Sequence, residues 1–262
     1  MSRLIHKIIH KTIRIYNRFI NLFFPGLIGA ALYKAWHRND PQFICPICDF
    51  HGPFSGGPAE RHEHCPKCGS NQRARLQYLV LHELRKTHDF SKMSALHFAP
   101  EAVFRKYFRK IFLHYETADL ESRNVDHQAD LLSLPFSDHT YDIVYASHVL
   151  EHIDDDVKAI SEIRRILKPG GIAILPVPIV AAKTIEYTTP LEDGHVRAPG
   201  KDYFERYKQQ FVQVKVFTSY DFTERYQLFN YEDRSCWPTK EMPLRQAMPG
   251  DKHPDFVPVC FC

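Results

Sequence analysis

From residue 94 onward, short apolar runs alternate with amphipathic ones, and this alternation limits the fold more than any other feature of the sequence. SALHF (94–98) reads as a first strand and PEAVFRKYFRKI (100–111) as the helix that follows it. HYETADL (114–120) is a second strand. QADLLSL (128–134) then leads through PFSDHT to YDIVYAS (141–147), the fourth. Acidic DDD (154–156) opens a helix over VKAISEIRRILK (157–168), with Ile160, Ile163, Ile166 and Leu167 as its apolar stripe. Pro169-Gly170-Gly171 end it, and IAILPVPI (172–179) is a fifth strand. Strands joined through helices build a parallel, doubly wound α/β sheet. Beyond it, DYFERYKQQF (202–211) reads as a helix, VQVKVF (212–217) as a strand and SYDFTERYQ (219–227) as another helix. FVPVCFC (256–262) reads as a last strand with Cys260 and Cys262 on one face as small core residues.

Residues 45–68 read CPICDFHGPFSGGPAERHEHCPKC. Two C-P-x-C pairs, Cys45/Cys48 and Cys65/Cys68, flank residues 49–64. Each pair turns tightly enough to aim two thiolates at one point, and the loop lets the pairs converge on a tetrahedral Zn²⁺. Four thiolates close the coordination shell, so the expected role is structural. His51, His62 and His64 in the loop are solvated residues or, alternatively, a replacement ligand. Arg73 and Arg75 follow at the start of a helix expected near 72–87. They read as a solvated or salt-bridged helix start, or as phosphate contacts. All seven cysteines, paired spacing included, suit a reducing compartment.

The run LPFSDHTYDIVYASHVLEHIDDDVKAISEIRRILKPGGIAILPVP resembles the middle of a class I S-adenosylmethionine (SAM) methyltransferase. The resemblance extends from about residue 92 to the end and weakens after 180. It implies a seven-stranded Rossmann-like sheet with an antiparallel final hairpin, and SAM across the carboxyl ends of the strands. Ligands of open α/β sheets lie beyond those ends on general grounds as well. Asp119 ends the second strand, where a carboxylate can accept both ribose hydroxyls; Leu120 follows it. Asp130 and Leu131 fall where the family holds the adenine. The competing reading of either aspartate is a turn or helix cap. Ser147 ends the fourth strand and His148 lies just past it, on the cofactor side.

ALHFAPEAVF (95–104) departs from the family, which places a glycine-rich loop after the first strand. Phe98-Ala99-Pro100-Glu101 stand there instead. SAM carries no phosphate, so the site needs close backbone approach and partners for an amino-acid end. Ala99 is small, and Pro100 suits the start of a helix. Glu101 either complements the helix dipole or receives the SAM ammonium. A subset of related methyltransferases carries an APE-type loop, often beside a cysteine-rich ribbon, so a variant cofactor loop is expected.

Methyl transfer from a sulfonium is an in-line displacement that the protein promotes by positioning, with a base where the acceptor is a hydroxyl. His148 and His152 are candidate bases; the alternative is a structural LEH segment with His152 hydrogen-bonded beneath the site. In the loop KTIEYTTPLEDGHVRAPGKDYFERY, His195 is a third candidate base and Arg197 a candidate grip for an acceptor carboxylate or phosphate. Glu192 and Asp193 add acid to that loop. A salt-bridged lid is the competing reading.

Residues 1–39 hold seven Lys/Arg and no acid, so with a net charge of +3 the remainder carries −4. That excludes a strongly basic nucleic-acid clamp but not a local groove. In residues 1–24, Leu4, Ile5, Ile8, Ile9, Ile13, Tyr16, Ile20, Phe23 and Phe24 follow helical spacing, with Arg3, Lys7, Lys11, Arg14 and Arg18 opposite. Such a helix suits an anionic membrane surface, or packing on the domain or another subunit. A cleaved signal peptide is a further reading. A full span is disfavoured by Asn21 and Pro25. The expected organisation is a membrane-surface helix (1–38), a zinc ribbon (39–75) and a methyltransferase domain (76–262). The expected enzyme is cytoplasmic, placed peripherally on the cytoplasmic membrane face. It methylates O or N of a small-molecule or glycan-type acceptor. The alternatives are an RNA methyltransferase whose ribbon presents RNA, and a non-catalytic scaffold.

Overall fold

The computed structural model describes residues 27–56, 61–190, 194–239 and 245–262. The basic helix expected over residues 1–24 lies outside them, as do Glu192 and Asp193. We label helices α1 Leu27–Trp36, α2 Gln72–Leu84, α3 Ala102–Ile111, α4 Asp156–Ile166 and α5 Phe204–Lys208. The strands of the main sheet are β1 Ser94–Phe98, β2 His114–Asp119, β3 His127–Gln128, β4 Tyr141–Ala146, β5 Leu167–Ile174, β6 Gln213–Thr218 and β7 Phe256–Phe261.

These seven strands form one sheet in the order β3-β2-β1-β4-β5-β7-β6. β1 pairs in parallel with both β2 and β4, β2 with β3, and β4 with β5. β7 enters antiparallel between β5 and β6. This is the expected seven-stranded Rossmann-like methyltransferase sheet with its antiparallel final pair. The order reverses between β1 and β4, which opens a crevice at their carboxyl ends.

Central strands are buried on both faces: Leu96, Val144 and Ala146 are fully covered, and so is His97. The α4 stripe Ile160, Ile163 and Ile166 is fully buried against the sheet, each side chain contributing about 1.5–3 kcal/mol. Asp155 caps α4 by accepting the Lys158 amide at 2.9 Å. Cys260 is buried in the same cluster and Cys262 packs on its margin, as expected.

Several element boundaries differ from expectation; the helix expected over 202–211, for one, is a 3₁₀ turn Lys201–Tyr203 followed by α5. α4 stops at Ile166, and Leu167–Lys168 already belong to β5, with a bulge opposite Tyr141–Ile143. Pro169 drives the residue before it away from the helical region. β5 ends at Ile174, because Pro176 and Pro178 have no amide to donate to a ladder. SYDFTERYQ is two 3₁₀ turns, Ser219–Asp221 and Glu224–Tyr226, capped by Thr218 and Thr223. Those caps offer the backbone local bonds that compete with a continuous helix.

Ahead of the sheet, a hairpin pairs Phe43–Ile44 with His51–Gly52, and Ser55 bridges His64. Phe50, Phe54, Cys45, Cys65 and Ala30 of α1 make its small core. Arg75 fastens this unit to the sheet domain. It is fully buried and donates to the carbonyls of Glu63, Ser70, Tyr226 and Gln227 at 2.5–3.1 Å, with its guanidinium 4.5 Å from the Phe54 ring centre. Neither a solvated helix start nor a phosphate contact describes it.

Candidate functional site

The site assembles along the carboxyl edge of β1, β2 and β4. After β1, Ala99 takes φ +45°, the left-handed conformation for which glycine is favoured, and its amide donates to Ala118 at 2.9 Å. The alanine thus follows the glycine path at a strain of about 1–2 kcal/mol. Pro100 leads into α3, with Glu101 as the N-cap residue. The Glu101 carboxylate makes no cap bond. It meets Nε2 of the fully buried His97 at 2.8 Å, while Nδ1 of that ring meets the Tyr115 hydroxyl at 2.9 Å. Burial depresses the His97 pKa, and Glu101 only partly restores it. Glu101 therefore braces the loop through His97, a partner the sequence reading did not foresee. Phe98 is buried beneath it.

At the end of β2, Asp119 Oδ1 accepts the amides of Glu121 (2.9 Å) and Ser122 (2.8 Å). The Asp119 carbonyl accepts the Ala129 amide at 3.0 Å, which brings Asp130 beside it. Asp130 Oδ1 in turn accepts the Leu132 amide at 2.8 Å. Both aspartates are thus turn-formers at the crevice, each with one oxygen bonded in this way. Leu120 is 60% exposed beside Asp119, an apolar surface on the edge of the crevice; Leu131 is a core residue at 5%.

Ser147 is buried and accepts from Gln77 Nε2 at 3.0 Å; Gln77 Oε1 receives the Tyr145 hydroxyl. Gln77 thereby ties α2 to the end of β4. Its signal in the sequence is a glutamine among Leu76, Val80 and Leu81 on a buried helix face. A cleft of about 320 Å³ opens here, with Ser70, Asn71, Arg73 and Gln77 on one wall and Glu101 and Val103 on the other. The second cysteine turn therefore borders the loop after β1.

His148 also takes a left-handed conformation, φ +55°, and its N–H donates to the Pro176 carbonyl at 2.8 Å. Its Nδ1 lies 3.1 Å from Glu151 Oε1. Glu151 sits on the 3₁₀ turn Leu150–His152 and is 1% exposed. Burial pushes its carboxyl up, but the hydrogen bond and charge of His148 outweigh that and hold it below the usual range. His148 Nε2 and Glu151 Oε2 are buried with no hydrogen-bond partner. His152 is exposed, and its ring lies 4.6 Å from that of His195, edge to face.

His195 reaches this point on a hairpin that pairs Ile185–Glu186 with Arg197–Ala198. The Val196 amide donates to Glu151 O at 2.9 Å. Arg197 is 2% exposed and spends its donors internally: Leu150 O (2.7 Å), Ile153 O (2.6 Å), Asp154 O (2.8 Å) and Glu186 Oε2 (2.9 Å). Asp156 Oδ2 lies 3.5 Å away. The expected grip on an acceptor anion is corrected: Arg197 clamps the hairpin to the β4 loop because its fork is already filled by carbonyls.

In the hairpin unit, the two cysteine turns repeat one pattern. Cys45 N–H donates to Phe50 O and Asp49 N–H to Cys45 O, while Cys65 N–H donates to Ser70 O and Gly69 N–H to Cys65 O. Asp49 and Gly69 are both left-handed, at φ +57° and +74°. Cys45 and Cys68 sulfurs lie 3.6 Å apart, as do those of Cys48 and Cys65, and all four sulfurs fall within 4.8 Å of one another. A Zn–S distance of about 2.3 Å places tetrahedral sulfurs about 3.8 Å apart. The four residues fit a zinc ion.

Residues 92–175 match the family described as "Methyltransferase domain". A demethylmenaquinone methyltransferase of Staphylococcus epidermidis is 36% identical over 76 residues, 29% of each chain. Its counterpart in Staphylococcus aureus is 29% identical over 127 residues, 38% of this chain and 52% of that one. The chain thus spans less than a third of the first of these relatives and about half of the second. Among solved structures, a phosphoethanolamine N-methyltransferase of Haemonchus contortus bound to S-adenosylhomocysteine is similar at TM-score 0.47 and 15% identity, covering 72% of this chain and 53% of that one. A SAM-dependent methyltransferase of Mesorhizobium loti is similar at TM-score 0.45 and 13% identity, covering 71% and 98%. The sheet order and connections, not these likenesses, carry the fold.

Proposed function

From the match of residues 92–175 to the methyltransferase-domain family we propose that the chain transfers a methyl group from SAM to an oxygen or nitrogen of a small-molecule or glycan-type acceptor near a membrane surface. One observation carries the reading. The loops that carry Asp119, Asp130 and His148 leave the same end of the parallel strands, and the 185–198 hairpin brings His195 to His152, which supports a donor site beside titratable groups.

SAM, when bound, supplies an electrophilic methyl on a sulfonium. Asp119 is held by two amides with an oxygen left to accept ribose hydroxyls. Leu120 offers apolar cover for the adenosine, and Asp130 an acceptor for its exocyclic amine. The Ala99–Glu101 loop lets the backbone approach the amino-acid end, where Glu101 faces an ammonium at low cost, already turned toward the crevice by His97. His148 and His152 stand on the acceptor side. His195 packs against His152, and the exposed His152 imidazole can take a proton from an acceptor hydroxyl. Arg197 positions all three through the hairpin.

The cysteine cluster holds a structural zinc in this reading, and Arg75 transmits the ribbon's position to the crevice wall. RNA is disfavoured as acceptor, since Arg75 is consumed by carbonyls and only Arg73 remains at the cleft. Membrane proximity is supported by the basic, apolar residues 1–24 and by Leu32 (48%) and Trp36 (79%), exposed on α1. Among the described residues no helix is long and apolar enough to cross a membrane.

The reading is tested by thermal unfolding with and without S-adenosylhomocysteine. Ligand at about 100 times Kd stabilises by about 2.7 kcal/mol. A rise in Tm for the wild type, abolished in a folded Asp119→Ala variant, supports it; no rise in either refutes it.

A further inference from the structure

We propose that Glu151, His152 and His195 form a second divalent-metal site, distinct from the cysteine cluster and seated where the 185–198 hairpin folds over the loop after β4. One carboxylate oxygen and one nitrogen from each ring lie within 4.8 Å of one another. The carboxylate supplies the independent sign that something is bound there. Glu151 is 1% exposed, its Oε1 is occupied by His148 Nδ1, and its Oε2 is buried with no partner. A buried carboxylate oxygen without a donor is costly, and a cation removes the cost.

The donor set selects the ion. Two imidazoles and one carboxylate suit first-row divalent ions such as Mn²⁺, Fe²⁺, Co²⁺ or Zn²⁺ rather than Ca²⁺ or Mg²⁺, which take oxygen ligands. Bond lengths near 2.1 Å require the ligand atoms to close to about 3–3.4 Å. His152 is exposed, and His195 directly follows Gly194, which takes φ +79°. The backbone around them is fixed: Val196 N–H holds Glu151 O, and Arg197 grips Leu150 O, Ile153 O and Asp154 O. A 3₁₀ turn and the adjoining hairpin, tied together by these bonds, thus present the three side chains to one another. His148 is a positioning residue here, since it orients the Glu151 carboxylate through Oε1.

Three protein ligands leave coordination positions open, and the exposed side of His152 is where they face. An acceptor hydroxyl or carboxylate would complete the shell there. That last step rests on the methyl-transfer reading; the metal site itself does not.

Titration of the zinc-loaded full chain with Co²⁺, followed by visible absorption and calorimetry, tests the site. One further equivalent is expected, with weak d–d bands and no sulfur-to-cobalt charge-transfer band, which would instead report exchange into the cysteine cluster. Affinity falls at least tenfold in both His152→Ala and His195→Ala. His152 is exposed and His195 half-buried, and neither is a cysteine ligand, so both variants are expected to keep the Tm and zinc content of the parent. Absence of an additional equivalent overturns the site, as do parental affinity in either variant and a thiolate-type spectrum. S-adenosylhomocysteine binding in the same samples reads the donor site separately.

Discussion

Arg197 Nη1 donates to the carbonyl of Leu150 at 2.7 Å and so locks the hairpin that carries His195 to the loop that carries Glu151 and His152. The same guanidinium satisfies Ile153 O, Asp154 O and the Glu186 carboxylate. Its removal leaves buried acceptors without donors. Arg197→Ala is expected to lose about 3–5 kcal/mol in urea unfolding. Arg197→Lys keeps the charge but not the fork, and should recover only part of that. A loss under 1 kcal/mol for the alanine variant would show that the clamp is not structural.

Arg75 predicts a separable effect. Arg75→Ala should cost a similar amount, because four carbonyls lose their donor. Zinc content should persist, since no sulfur ligand is touched. Proteolysis should become faster around residues 61–70, where the ribbon loses its tether. Measured cleavage unchanged in that segment would contradict the docking role.

Removal of zinc by a strong chelator should lower the Tm by several degrees while far-UV dichroism retains the sheet signal. Structural zinc contributes folding free energy directly. The sheet strands pair through their own ladders, so they outlast the ribbon. Cys65→Ser should reproduce the chelated state. Simultaneous loss of all secondary structure would show that the two units do not separate.

His97 gives a pH signature. Its folded pKa is depressed, chiefly by burial, below the unfolded value of about 6.5. Its stabilising contribution is therefore complete above about pH 6.5 and is lost as pH falls through the lower folded value. His97→Asn should flatten the decline of Tm below pH 6.5 relative to the parent, whatever its effect at pH 8. Parallel profiles would place the proton elsewhere.

Much of this architecture was legible in the sequence because periodicity and spacing are local properties. The β1–α3–β2 and β4–α4–β5 alternation, the four cysteines and the positions of Asp119 and Asp130 all followed from runs a few residues long. Features decided by distant chain were not legible. Arg75 and Arg197 look like surface cations until Tyr226, Gln227, Leu150 and Ile153 are brought to them. The two-residue β3 is too short to show a period, and it exists because β2 offers it an edge. Ala99 carried no sign of its left-handed backbone, which goes with a hydrogen bond from its N–H to the distant Ala118 carbonyl. The histidine candidates were named, but their meeting at Glu151 required the 185–198 hairpin to fold back.

The central claim is a methyl-donor site built without the glycine loop. Titration calorimetry of SAM and S-adenosylhomocysteine into the zinc-loaded protein, with Asp119→Ala as control, tests it most directly. The account predicts one site of micromolar affinity, about −8 kcal/mol, lost in the variant. No heat of binding in a folded, cofactor-free protein would contradict it, and with it the roles given to Asp119, Asp130 and the Ala99–Glu101 loop.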